Sequence, residues 1–131
     1  MTFTFKKAVR SESKLRLALE GISGSGKTYS ALRLAKGLGG KIAVVDTERG
    51  SASLYSGLPG IPEFDVLELT DSFSPEVYVD AIHAAEEAGY NVIILDSITP
   101  EWSGKNGCLE LADLYSKGNS LAGWKKVTPL H

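Results

Sequence analysis

Gly21, Gly26, Lys27 and Thr28 stand in the order glycine, four residues, glycine, lysine, hydroxyl residue, and those types at that spacing are what a backbone needs to wrap phosphate groups. Glycines let main-chain N–H groups approach anionic oxygens with no Cβ in the way. Lys27 brings a mobile positive charge to the outer phosphates, and the Thr28 hydroxyl is a ligand for a divalent cation that bridges the same oxygens. The stretch GISGSGKTY makes Gly21, Ser23, Gly24, Ser25, Gly26, Lys27, Thr28 and Tyr29 the candidate ligand contacts.

A cation held this way also needs a carboxylate. Mg²⁺ keeps several of its waters, so one acid at the carboxyl end of a neighbouring strand suffices, and Asp96, closing VIILD, is the candidate. Thr28 and Asp96 are the expected metal-holding pair. Phosphate hydrolysis requires in addition a group that orients and deprotonates water. Glu48, just past the apolar run IAVVD, is the candidate for that role. Glu101, five residues beyond Asp96, competes with it, and Asp46 is a candidate for a supporting one.

These side chains can act together only if the chain delivers them to one edge. LRLALE, residues 15–20, alternates apolar and polar positions and predicts a strand that runs into the glycines. From Lys27, the positions of Ala31, Leu32, Leu34, Ala35 and Leu38 predict a helix ended by Gly37, Gly39 and Gly40. KIAVVDTE reads as a strand buried on both faces, and FDVLEL as a weaker strand after the turn signals of GLPGIPE. SPEVYVDAIHAAEEAGY predicts a helix with Ser74 as N-cap, Pro75 and Glu76 in its first turn and Gly89 at its end. Its stripe is Val77, Ala81, Ala84, Ala85 and Ala88. NVIILDS is a further apolar strand. This order of elements means an α/β domain with a mainly parallel sheet.

The bulk numbers agree with a single domain over residues 1–131: 43% of the residues are hydrophobic and 23% charged. No apolar run approaches the ~20 residues that span a membrane, and MTFTFKKAVR lacks the apolar centre of a signal peptide, so a cytoplasmic protein without a membrane partner is expected. Cys108 has no second thiol for a disulfide, in keeping with a reducing compartment. His83 and His131 are assigned no chemistry. Charge is uneven: residues 1–50 hold ten Lys and Arg against four Asp and Glu, whereas 51–101 hold ten acids and no Lys or Arg. A positive first segment suits a polyanion, and equally a set of solvated faces.

With VVDTERGSASLY and VIILDS in the order described, the chain resembles the RecA-like branch of P-loop ATPases, particularly small phage-encoded RecA-like proteins of recombination and single-strand annealing. The resemblance spans roughly Leu15 to Gly107. It implies a three-layer P-loop NTPase fold with helices on both sides of the sheet, and ATP and Mg²⁺ as ligands. Glu48 is then the water-activating base, and Tyr55, seven residues later, the aromatic that stacks on adenine. Where such proteins carry an acid near the adenine this chain has Ala52. RecA-like sheets also place a later strand between the phosphate-loop strand and the metal strand, yet the 35 residues after Asp96 contain no apolar strand. The sheet is therefore expected to be incomplete at its C-terminus, either continuing in a longer protein or completed in another way.

Trp102, Tyr115 and Trp124 interleave with Lys105, Lys117, Lys125 and Lys126, the ingredients of a single-stranded DNA surface. CLELADLY in the same region reads as an amphipathic helix whose Leu109, Leu111 and Leu114 seek a core. RecA relatives commonly borrow a cation from a neighbouring subunit, which implies a homo-oligomer. Two rival readings share the cradle: a small-molecule phosphotransferase, disfavoured by the lack of any arginine after Arg49 for a lid, and a nucleotide-responsive interaction module without efficient turnover.

Overall fold

The central strand β1, Ile42–Asp46, is buried along its whole length. A continuous apolar run tolerates that only when both its edges and both its faces are covered. In a computed structural model that describes residues 1–10 and 13–116, both conditions are met. β2 (Asp65–Glu68) and β3 (Val92–Asp96) pair with β1 in parallel, in the order β2-β1-β3. The register sets Asp46 level with Glu68 on one side and Asp96 on the other, so the carboxyl ends of all three strands form one edge.

Alternation along β1 sends Ile42 and Val44 to one face and Ala43 and Val45 to the other. Helix α1 (Lys27–Leu38) covers the first, where Leu32 and Ala35 join Ile42, Val44 and Ala52 in the main core, with Val92 and Ile94 packed against them. Full burial of Leu32 alone is worth about 1.5–3 kcal/mol. Helix α2 (Pro75–Glu87) lies on the second face, where Ala81, Ala84 and Ala85 line a cleft with Ala43, Val45 and Leu67. The result is an α/β fold in three layers. α2 begins with Ser74 at the N-cap position, extended before Pro75 but without a capping bond from its hydroxyl, and ends before Gly89 at φ 83°. Its most buried residues are Pro75, Tyr78, Ala81 and Ala85, so the stripe is rotated toward Tyr78, and Ala84 and Ala88 are exposed. His83 is exposed.

Beyond β3, a short helix α3 (Thr99–Ser103) packs against α4 (Cys108–Ser116). α4 coincides with the amphipathic CLELADLY segment, but among its described side chains Cys108 and Ala112 are buried, with Leu111 against them, while Leu109 is exposed; the Leu114 side chain lies outside the described ones. Burial pushes the Cys108 thiol above its ordinary range, and the Glu101 charge adds to the shift.

The expected strand over residues 15–20 does not form. Leu15 and Leu17 are 61% and 59% exposed, and the segment has no ladder partner among the described residues. Both edges of β1 are occupied by β2 and β3, and the far edge of β3 carries no strand among the described residues. Alternating hydrophobicity records which side of a strand would be buried, whereas pairing needs a neighbour with free N–H and C=O groups. No helix among the described residues is long and apolar enough to cross a membrane.

Candidate functional site

Residues 21–26 turn sharply into α1. The Ser25 N–H donates to the Ile22 carbonyl at 3.1 Å, and the Gly26 carbonyl accepts from Ser30 N–H at 2.9 Å to start the helix. Gly24 and Gly26 have φ of 80° and 90°, values that L side chains resist, and a Cβ on Gly21 would collide with the Ser25 hydroxyl. No acidic side chain occupies the first turn of α1, and among the described residues no side chain caps it. The amino end of a twelve-residue helix and its unsatisfied N–H groups are thereby left to an anion. Lys27 arches back so that its ammonium donates to the Gly21 carbonyl, at the mouth of the same turn.

Thr28 joins this turn to the sheet. Its hydroxyl donates to Oδ2 of Asp96 at 2.7 Å, across 68 residues of sequence. Asp96 is 8% exposed at the end of β3, and a hydroxyl oxygen and a carboxylate in direct contact suit a shared divalent cation. Among the described residues no three His, Cys, Asp or Glu side chains gather to hold a metal alone. A cation at Thr28 and Asp96 would therefore take its remaining oxygens from phosphate and water, which is the habit of Mg²⁺.

The three other acids separate by burial. Asp46 is fully buried, and its carboxylate accepts the Glu48 N–H at 2.7 Å and the Ala52 N–H at 3.2 Å, so it shapes the loop after β1 and is withdrawn from the open edge. Glu48 is exposed, two residues past the end of β1, with Oε2 accepting from the Ser51 hydroxyl at 3.4 Å. Glu101 is 7% exposed on α3, and its charge acts on Tyr78 and Cys108.

Where the ladder runs out, side chains replace it. Thr47 N–H donates to the Asp96 carbonyl at 2.8 Å, and the Thr47 hydroxyl both accepts from Ser97 N–H at 2.9 Å and donates to the Ser97 carbonyl at 3.1 Å. The Tyr78 hydroxyl donates to the same carbonyl at 2.9 Å. Burial raises the Tyr78 pKa above its ordinary 10.0; the Thr47 hydroxyl works against the shift and the Glu101 charge adds to it.

Beside the cradle, the rings of Tyr29 and Tyr55 stand 6.3 Å apart at 48°. Arg33, one turn along α1, donates to the Tyr29 hydroxyl at 3.0 Å and lies 5.8 Å from the centre of its ring. The AAA domain family model matches residues 13–131. The chain belongs to the AAA domain family. That family is one of P-loop nucleotide-binding ATPases, in agreement with the cradle and the parallel sheet. Comparison with curated proteins and with solved structures returned no significant match.

In this AAA domain, Thr28 and Asp96 meet beside the turn onto which Lys27 closes through the Gly21 carbonyl, and Glu48 lies two residues past the carboxyl end of β1. Tyr29 and Tyr55 adjoin, which their separation in sequence does not announce. Ala52, at the position where RecA-like proteins carry an acid, is fully buried in the core, and its N–H is held by Asp46; that environment selects a small apolar residue. Thr47, Tyr78 and Arg33 were missed by sequence reasoning. Only Arg33 carried a signal, its i+4 spacing from Tyr29 on a helix. Trp102 is 44% exposed on α3, whereas the Tyr115 side chain and Lys117, Trp124, Lys125 and Lys126 lie outside what is described.

Proposed function

We propose that this AAA domain is a RecA-like, Mg²⁺-dependent ATPase that works on single-stranded DNA in recombination or annealing. The observation that carries the ATPase reading is the 2.7 Å bond from Thr28 to Asp96, which brings the helix-borne metal ligand and the strand-borne acid to one point beside the glycine turn. The N–H groups of residues 24–28 and the Lys27 ammonium bind the outer phosphates of ATP. Thr28 and Asp96 hold Mg²⁺, which when bound neutralises phosphate charge. Glu48 accepts a proton from the water that attacks the γ-phosphorus, the bond from that phosphorus to the β,γ-bridging oxygen breaks, and ADP and phosphate leave. Its exposure favours Glu48 over the buried Glu101 as the base. Tyr29 and Tyr55 provide aromatic faces for the adenine.

The DNA reading rests on the resemblance to RecA-like annealing proteins and on Trp102 and Lys105 after the metal strand. Phosphate release measured with and without single-stranded DNA tests the whole. Stimulation by DNA supports the proposal, dependence on a small-molecule acceptor points to a phosphotransferase, and nucleotide binding without release points to an interaction module.

A further inference from the structure

We propose that Thr47 is a positioning residue of this site, fastening the chain segment that carries Glu48 to the one that carries Asp96. The inference rests on the ATPase reading above and adds a residue to it.

The pairing of Asp46 with Asp96 is the last rung between β1 and β3. Past it the two segments diverge toward different tasks, and among the described residues no strand lies opposite the N–H and C=O of Ser97. A backbone in that state is free to shift, and the Asp96 carboxylate shifts with it. Thr47 closes the gap with one hydroxyl, accepting from Ser97 N–H at 2.9 Å and donating to Ser97 C=O at 3.1 Å, while its own N–H donates to the Asp96 carbonyl at 2.8 Å. The side chain is 8% exposed, so water does not compete freely for these bonds. Thr47 is also the residue between Asp46, whose carboxylate holds the Glu48 N–H at 2.7 Å, and Glu48 itself. One hydroxyl thus ties the base-bearing loop to the metal-bearing strand end at a separation of 50 residues. Tyr78, on α2, reaches the same Ser97 carbonyl at 2.9 Å and braces it from the second face of the sheet.

Such a role predicts a particular pattern. The cradle depends on residues 21–28, and the hydrogen bonds of Thr47 go to Asp96 and Ser97 instead, so nucleotide binding without metal is independent of it. The contribution of the metal, held through Asp96, is not. In the full chain, Thr47→Val keeps the shape of the side chain and removes the hydroxyl, whereas Thr47→Ser keeps the hydroxyl.

The test is to titrate ATP with and without Mg²⁺ against wild type and both variants, and to follow amide exchange at Ser97. The expected result is metal-free affinity within about twofold of wild type in all three. For Thr47→Val the affinity gained from Mg²⁺ falls about tenfold or more and Ser97 exchange quickens, and Thr47→Ser restores both. A Thr47→Val chain with an undiminished Mg²⁺ effect overturns the inference. So does one whose metal-free and metal-bound affinities fall together, since that is the mark of general structural damage. A wild-type chain whose ATP affinity does not respond to Mg²⁺ overturns the ATPase reading and this inference together; an intact wild-type response with an unaffected Thr47→Val removes only the inference.

Discussion

Replacing Asp46 by asparagine exchanges one carboxylate oxygen for an NH₂ group at a fully buried position and should cost more than most substitutions in this chain. The Asp46 carboxylate accepts two backbone N–H groups, from Glu48 at 2.7 Å and from Ala52 at 3.2 Å. Asparagine offers one acceptor oxygen, and in either orientation its amide NH₂ faces the other N–H, donor against donor. One charge-assisted bond is lost, one weakens to a neutral bond, and a main-chain donor is left unmatched in a site closed to water. Bonds to charged groups contribute about 1.5–3 kcal/mol, which sets the expected loss for Asp46→Asn at roughly 2–3 kcal/mol. In a chain of 131 residues that lowers Tm by roughly 6–12 °C. Urea denaturation is the direct assay: the midpoint should fall with the slope unchanged, because the native state stays equally compact. A loss below about 0.5 kcal/mol, the range of an ordinary surface substitution, would show that the two bonds do not shape the loop.

Leu32→Ala, in the core between α1 and β1, should cost about 2–5 kcal/mol by the same assay, because the residue is fully buried and its removal takes apolar contacts from Ile42, Val44 and Ala52. Tyr78 sets an alkaline limit. Its pKa is higher folded than unfolded, so its stabilising contribution is complete below pH 10.0 and declines as pH rises toward and through the folded value; Tyr78→Phe should flatten that decline in a stability profile. Glu48→Gln should bind ATP like wild type and release little phosphate, and Glu101→Gln should keep turnover; the reverse pattern would transfer the role of base to Glu101.

Most of what positions the site was legible in the sequence, since it depends on short-range patterns. The apolar runs around Val44 and Ile94, the Ser74–Pro75 start and the Gly89 stop each declare an element locally, and the glycines, Lys27 and Thr28 declare the turn into α1. The rest depends on partners. Residues 15–20 carry the right alternation and lack a neighbouring strand among the described residues. Thr47 reads as an ordinary polar residue after a strand until the register of β1 and β3 sets it beside Ser97. Glu48 and Glu101 cannot be ranked as base candidates from their types alone. Burial separates them, closing off Glu101 on α3 and leaving Glu48 open.

Calorimetric titration of ATP with Mg²⁺ into the wild-type chain and into Lys27→Ala bears most directly on the claim that residues 24–28 enclose terminal phosphates. Loss of one charge-assisted lysine contact corresponds to about 10- to 100-fold in affinity, and the account predicts at least that. Equal affinity in the two chains would contradict it.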